Sequence, residues 1–469
     1  MTLYQKIFGL FVLFNLAACS DGGQDIEGES LLPTTRAAAD KPNILIILSD
    51  DLGINEVGSY GNPVIRTPHI DKLAQEGLKF NQAFVPASMC SPSRAALYTG
   101  LYPRRNGIYR NHAGAYDGIK SIPHFLTKLG YRTSLVGKIH VKPFDVFPFE
   151  FLDRDIDDVE DYLNRIGDSP FAMIVAQHHP HVPWVSNKEY DPDVIPLSPK
   201  FVDTAETRAA MTRYYSSVTE SDTEMGKYLE LLDKRGLRDN TIVIYLSDHG
   251  AQMPFAKFSN YDASLNVPFI IRWPGVIEQN SQHNALISSV DILPTLIEIA
   301  GGIAPESLDG KSFLPTLTDL SAEHHTYVFG TQNTLGLRVE NPKAYGIRTV
   351  RDKRYRYIKN LNHTNKPVTL MTAPRALTGS VKYFLVYGSW IAPGVPAYWQ
   401  SWVKKAKTDD VARATVDQYY NRPAEELYDL ENDPHELHNI ALDPSQQANK
   451  ERLRSALESW RLQQGDVPE

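Results

Sequence analysis

Five short runs of branched and apolar residues constrain the fold of this chain more than any other feature. They are Asn43–Leu48, Thr133–Val136, Phe171–Ala176, Thr241–Leu246 and Val267–Ile271. None alternates apolar with polar, so each reads as a strand buried on both faces. Helical patterns lie between them. Thr67-Pro68 reads as an N-cap with proline at the first helical position, and Ile70, Leu73 and Ala74 form the apolar face behind it. Residues 211–235 carry Tyr215, Val218, Met225, Leu229 and Leu232 at helical spacing, with Gly236 as the stop. Strands alternating with helices predict an α/β fold with a large, mostly parallel sheet sandwiched by helices.

Four of these runs lead straight into polar clusters. Asn43–Leu48 is followed by Ser49-Asp50-Asp51, and Thr133–Val136 by Gly137-Lys138-Ile139-His140. Phe171–Ala176 leads into Gln177-His178-His179-Pro180-His181, and Thr241–Leu246 into Ser247-Asp248-His249-Gly250. Sites in α/β proteins form beyond the carboxyl ends of strands, so clusters far apart in sequence are expected to meet in one crevice. Past about residue 320 the texture changes. Thr326–Phe329, Tyr345–Val350 and Arg356–Lys359 look like short strands of mixed polarity, and Glu425–Pro434 like a strand and a turn. Residues 447–463 look like an amphipathic helix. The expected division is a catalytic domain over 42–325 and a smaller antiparallel α+β domain over 326–469. Residues 362–422 show no clear period.

The first 41 residues read as export machinery. Lys6 and the apolar stretch Ile7–Ala18 resemble a signal peptide, and Leu16-Ala17-Ala18-Cys19 a lipobox that would leave Cys19 lipidated. Residues 20–41 then form a flexible tether. The expectation is an exported bacterial lipoprotein, on the periplasmic or cell-surface side of the outer membrane. A net charge of −8 with no basic block argues against nucleic acid as a partner.

Only one other cysteine exists, Cys90, so no structural disulfide is available. It opens Cys90-Ser91-Pro92-Ser93-Arg94, the start of a helix-like stretch. A nucleophile there meets unpaired amides and the positive end of the helix dipole, which suit an anionic group. Arg94 adds a charge-assisted contact. Asp50, Asp51, Asp248 and His249 offer oxygen ligands and one nitrogen to a divalent cation. Asp-Asp alone would read as a turn cap, but both clusters together favour metal. Ca²⁺ suits the oxygens, and His249 leaves Mg²⁺ or a softer ion open. Lys138 and His140 project from the same side of an extended segment. The cluster His178, His179 and His181 could by itself bind zinc. Lys257 alone is uninformative.

Taken in order, these motifs resemble the formylglycine-dependent sulfatases of the alkaline phosphatase-like superfamily, from Lys41 to the end of the chain. The resemblance rests on Asp50-Asp51, Cys90-x-Pro92-x-Arg94, Gly137-Lys138-x-His140, Pro180-His181, Asp248-His249 and Val290-Asp291-Ile292-Leu293-Pro294-Thr295-Leu296. Glu426-Leu427-Tyr428-Asp429 with Asp433-Pro434 and Glu436 extends it. Within that family, Asn106–Tyr109, Lys138–Val141, Val175–His181, Phe329–Gln332 and Ile358–Asn362 resemble the heparan N-sulfatases (sulfamidases). His249, His179 and Lys257 depart from them, where Asn, Asp and Arg are usual.

The resemblance implies a sulfatase whose Cys90 is oxidised by a maturase to formylglycine (3-oxoalanine), the hydrate being the nucleophile. It implies Asp50, Asp51, residue 90, Asp248 and His249 as the metal set. Arg94, Lys138 and Lys257 would offset charge on the sulfuryl oxygens. His181, with Lys257, would protonate the departing oxygen or nitrogen, and His140 would take the proton that regenerates the aldehyde. His178, His179 and Arg348 are candidates for substrate contact, with a sulfated glycan as substrate. A phosphoester or phosphonate hydrolase on the same scaffold, and a glycan-binding lipoprotein without catalysis, are the competing readings.

Overall fold

The computed structural model describes residues 41–187, 189–333, 345–367, 369, 371 and 395–466, all within one compact unit. The signal peptide, Cys19 and nearly all of the tether expected before Pro42 lie outside the described residues.

Fourteen strands are described: β1 (Asn43–Ser49), β2 (Leu78–Phe80), β3 (Ala83–Phe84), β4 (Arg132–Gly137), β5 (Glu150–Leu152), β6 (Phe171–Ala176), β7 (Thr241–Ser247), β8 (Phe269–Arg272), β9 (Ser281–His283), β10 (Ile287–Ser288), β11 (Val328–Gln332), β12 (Ile347–Arg351), β13 (Tyr355–Asn360) and β14 (Glu425–Asp429). The main sheet runs β5-β4-β6-β1-β7-β8-β2-β9. Its first five strands are parallel, while β8 is antiparallel to both β7 and β2. The sheet is therefore mixed, with a parallel centre.

Strand period divides the core. Leu45 and Ile47 of β1, Met173 and Val175 of β6, and Val243 and Tyr245 of β7 face one side. Ile44, Ile46, Leu48, Ile174, Ile242 and Ile244 face the other. The long helix Ala205–Lys234 covers the first face through Tyr214, Tyr215, Val218 and Met225. It starts at Thr204, whose side chain accepts the Thr207 N–H. The helices Cys90–Thr99 and Ile292–Ile299 cover the second through Ala95, Leu97, Leu293 and Leu296. The helix Pro68–Gln75 has proline at its start, but the Thr67 hydroxyl donates to Asp71 and accepts from Gly58 rather than capping it.

A second, wholly antiparallel sheet runs β11-β12-β13-β14. It packs on the helix Gln447–Gln463 through Val350, Tyr357, Leu427, Leu453, Leu457 and Trp460. The stretch without clear period contains two helices, Val395–Lys405 and Asp410–Tyr420.

Candidate active site

The strand order β4-β6-β1-β7 sets the four polar clusters side by side. Backbone bonds extend the sheet past the strand ends: Lys138 N to Ala176 O, Gln177 N to Leu48 O, Asp50 N to His179 O and Asp248 N to Ser49 O, at 2.9–3.2 Å. Beneath them, Ser49 Oγ contacts Gln177 Oε1 and Tyr245 OH at 2.9 Å each, and Ser221 Oγ donates to the same Gln177 oxygen at 2.8 Å. This buried polar floor is internally satisfied and fixes the rim above it.

Asp51 has φ 70°, in the left-handed region. That turn breaks strand alternation, and the carboxylates of Asp50 and Asp51 both face the cluster around Cys90. The Asp51 carbonyl accepts from Tyr214 OH at 2.9 Å, and its N–H donates to Asp248 Oδ1 at 3.1 Å. The other side is the Cys90–Thr99 helix, buried along its whole length. Cys90 is its first residue, and Asn111 Oδ1 accepts the Ser91 N–H at 3.1 Å in place of a local cap.

Around Cys90 Sγ lie His249 Nε2 at 3.3 Å, Lys257 Nζ at 3.7 Å and Asp51 Oδ1 at 4.0 Å. Lys257 Nζ donates to both Asp51 oxygens at 2.7 Å and to Gln252 Oε1 at 3.3 Å. Arg94 Nε donates to Asp248 Oδ2 at 2.9 Å, while its Nη2 stands 3.6 Å from Asp50 Oδ1. Lys138 Nζ donates to Asp50 Oδ2. Asp50, Asp51, Arg94, Asp248, His249 and Lys257 are all buried.

Three carboxylates and three fixed cations thus share a dry volume, and each shifts the others. Burial pushes the Cys90 thiol up, but the ammonium groups of Lys138 and Lys257 outweigh it and bring it down to about 6. Burial raises Asp248 to about 6, with Asp50 adding to the rise and His249 and Arg94 opposing it. Burial lowers His249, but Asp248, Cys90 and Asp51 lift it to about 9. His140 moves the other way: burial, Lys138 and Arg94 hold it at about 3, and its Nδ1 is buried without a hydrogen-bond partner among the described residues. His181 Nδ1 sits 2.5 Å from the Val182 carbonyl, so it carries the proton, and Nε2 faces Asp51 Oδ2 at 3.9 Å.

Of the residues singled out from sequence, the structure brings together Asp50, Asp51, Cys90, Arg94, Lys138, His181, Asp248, His249 and Lys257. His140 and His178 flank them on the Lys138 side; partial burial of the His178 ring, with Arg154 and Lys138, brings it down to about 4. One expectation, Arg348, needs correction, and His179 stands apart from the cluster. His179 supplies its carbonyl to Asp50 but lines a separate cavity of about 380 Å³ with Arg154, Glu220, Glu224 and Tyr228. Arg348 spends all five donors inside the protein. They go to Asp466 Oδ2 and Oδ1, Asn333 Oδ1 and the carbonyls of Gln332 and Ile347, at 2.5–3.1 Å. It is a brace and has no donor left for a sugar.

Sequence reasoning missed four supports: Asn111 at the Ser91 amide, Gln252 on Lys257, Tyr214 under Asp51, and His112, whose ring lies 5.0 Å from that of His140. None carries a local motif. Gln252 lies only five residues before Lys257, while the other three become visible only through long-range packing.

Comparison with known proteins agrees with this geometry. The family model described as Sulfatase matches residues 42–155 and 152–303, and that described as N-sulphoglucosamine sulphohydrolase, C-terminal, matches 250–372. An ulvan-active sulfatase of Formosa agariphila is 35% identical over 98% of this chain and 88% of its own length. The human N-sulphoglucosamine sulphohydrolase is 30% identical over 90% of each chain. Among solved structures, BT4656 in complex with its substrate D-glucosamine-2-N,6-O-disulfate superposes with a TM-score of 0.67 at 19% identity, covering 91% of this chain and 99% of that one.

Proposed function

This chain belongs to the sulfatase family and hydrolyses sulfate esters, and from that premise we propose that its substrate is a sulfated polysaccharide or its oligosaccharides, cleaved by formylglycine made from Cys90. The observation that carries this reading is the seat of Cys90. It heads a buried helix with Asp51, His249 and Lys257 within 4.0 Å of its sulfur. The relatives named for ulvan and for N-sulphoglucosamine support a glycan as substrate.

The residues fit a divalent cation. Asp50, Asp51 and Asp248 converge with Cys90, and Asp50 Oδ1 is buried without a hydrogen-bond partner among the described residues. A mainly carboxylate set suits Ca²⁺ or Mg²⁺, with His249 Nε2 at its edge. A cation held there supplies polarisation of the sulfuryl oxygens, and formylglycine supplies a geminal hydroxyl that a thiol lacks.

The chain's own residues then do the following. Lys138, Lys257 and Arg94 present fixed positive charge where sulfuryl oxygens gain negative charge, and burial makes that charge effective. Asp50, Asp51 and Asp248 hold those cations in place. His181, with Nδ1–H fixed on Val182, presents Nε2 toward the departing group and passes a proton from that nitrogen only when doubly protonated, a form that burial opposes and the Asp51 carboxylate favours. The Lys257 ammonium beside the same Asp51 carboxylate is lifted well above its usual range by Asp51, against burial, so it keeps its proton and acts as fixed positive charge. His140, kept neutral, offers an empty nitrogen to take a proton from the nucleophile side. A maturase is a required partner. On the Leu16–Cys19 sequence, we place the enzyme as an exported, lipid-anchored protein.

A second reading is the N-sulfo sugar itself, favoured by the C-terminal family match over 250–372. Sulfate release on a panel of N-sulfoglucosamine, heparan oligosaccharides, O-sulfated algal oligosaccharides and a phosphonate monoester tests both, with Cys90→Ala as blank. Release from O-sulfated glycans is expected. Release from N-sulfo sugars alone would select the second reading, and faster turnover of the phosphonate would sink both.

A further inference from the structure

Asp291 ends the turn Ser289–Asp291, opens the helix Ile292–Ile299, and is fully buried. Its Oδ2 accepts the Ser288 N–H at 2.8 Å and its Oδ1 the Lys311 N–H at 2.9 Å. Two adjacent imidazoles, just before β11, converge on the same carboxylate. His325 Nε2 lies 2.9 Å from Oδ2 and 3.0 Å from Oδ1, and His324 Nε2 lies 3.3 Å from Oδ2. The ring centroids are 4.2 Å apart. Consecutive side chains of an extended segment normally point to opposite faces, so two neighbours aimed at one oxygen is a specific arrangement.

One imidazole would suffice to complete this carboxylate. The second is left over: the His324 side chain is 7% exposed, and its Nε2 has no hydrogen-bond partner of acceptable geometry among the described residues. A buried ring nitrogen in that position calls for a ligand.

We propose that Asp291, His324 and His325 form a second metal site, for a divalent transition-metal ion of the zinc type, distinct from the carboxylate cluster at Cys90. Two imidazole nitrogens and one carboxylate oxygen are donors that zinc takes. The two nitrogen–carboxylate spacings, 2.9 and 3.3 Å, are close to the edge of about 3.3 Å of a tetrahedron with zinc–ligand bonds of about 2.0–2.1 Å, and all three donors lie within 4.8 Å of one another. The softer donor set separates this ion from the hard cation suited to Asp50, Asp51 and Asp248. Its role is to tie the segment before β11 to the turn that starts the Ile292–Ile299 helix. The proposal does not depend on the substrate.

The test uses the full chain carrying both Cys19→Ser and Cys90→Ser, so that no thiolate competes. It is stripped of metal, saturated with Ca²⁺, and titrated with Zn²⁺ or Co²⁺. One equivalent of Zn²⁺ is expected to survive gel filtration, to be lost in His324→Ala/His325→Ala, and to persist in Asp51→Asn. No retained Zn²⁺, or retention that Asp51→Asn abolishes and the histidine pair does not, overturns the proposal. Should the double variant fail to fold, the Co²⁺ form of the cysteine-free chain decides. Two paramagnetically shifted imidazole N–H resonances are expected, and their absence overturns it.

Discussion

Lys257 Nζ stands 2.7 Å from each carboxylate oxygen of Asp51, and both side chains are almost wholly shielded from water. The ammonium therefore occupies the face of Asp51 that a divalent cation would otherwise share. Removing one partner of such a pair leaves a buried charge uncompensated, which costs about 3–5 kcal/mol. Lys257→Met should lose about that much in EDTA and clearly less in excess Ca²⁺, as the cation takes over the neutralisation. Urea midpoints under the two conditions measure this. Equal losses would mean that Asp51 does not face the cation.

His140 gives the site a pH signature. Burial first, then Lys138 and Arg94, hold it at about 3 against 6.5 for a free imidazole. Between those values the unfolded chain binds the extra proton. The neutral ring therefore contributes stability that is fully present above pH 6.5 and is lost as pH falls toward 3. His140→Gln should remove this dependence. From pH 7 to pH 5 the variant should lose about 1 kcal/mol less than the parent, a figure discounted because the ring is partly exposed. Parallel stability–pH curves for the two proteins would contradict the assignment.

Arg348 was expected at the substrate and is found as a brace between Asn333, Asp466 and two β-strand carbonyls. Arg348→Gln leaves Asp466 with Arg461 as its remaining cation, Nε to Oδ2 at 3.1 Å. The loss should be about 2 kcal/mol, below that of a fully orphaned buried charge. KM on a sulfated oligosaccharide should stay within about twofold. A KM raised tenfold with stability untouched would place the guanidinium on the sugar after all.

The strands that carry the site were legible because burial on both faces leaves an unbroken apolar run, as in Asn43–Ser49 and Thr241–Ser247. Their polar exits were legible because Asp50-Asp51 or Asp248-His249 has no cheap structural reason to follow such a run. The short edge strand Glu150–Leu152 was not, since three half-buried residues carry no period. The helix Ile156–Ile166 did carry a signal, with Asp155 capping the Asp157 amide and Val159, Tyr162, Leu163 and Ile166 buried on one stripe. The placement of His179 and Arg348 was illegible for a different reason. The loop at His179 takes its direction from distant packing, and Arg348, although on β12, is engaged by Asn333 and Asp466, whose positions no local spacing encodes. Asn111 on the Ser91 amide is likewise a contact between residues twenty apart, which no local spacing encodes.

Gly250 tests how tightly the strand end bearing Asp248 and His249 is held. A Cβ at 250 would lie 1.8 Å from the Ala263 carbonyl oxygen and 3.1 Å from Ser264 Cα, both backbone atoms that have no rotamer to change. The Gly250 N–H meanwhile donates to the Ser264 carbonyl at 2.9 Å, so the two segments cannot simply part. Gly61 is the contrasting case: its φ of 100° disfavours a side chain, but a Cβ there meets nothing within 4 Å. Backbone strain alone at such a site costs about 1 kcal/mol, whereas overpacking against fixed atoms costs about 3 kcal/mol or more. Gly250→Ala should therefore lower the urea midpoint at least twice as far as Gly61→Ala at equal m-value. It should also depress sulfate release per folded molecule, because Asp248 and His249 shift with it, while Gly61→Ala should not. If the two variants lose equal stability, close approach at Gly250 does not hold the strand end, and the site's rigidity must come from the Ser49, Gln177 and Ser221 floor instead.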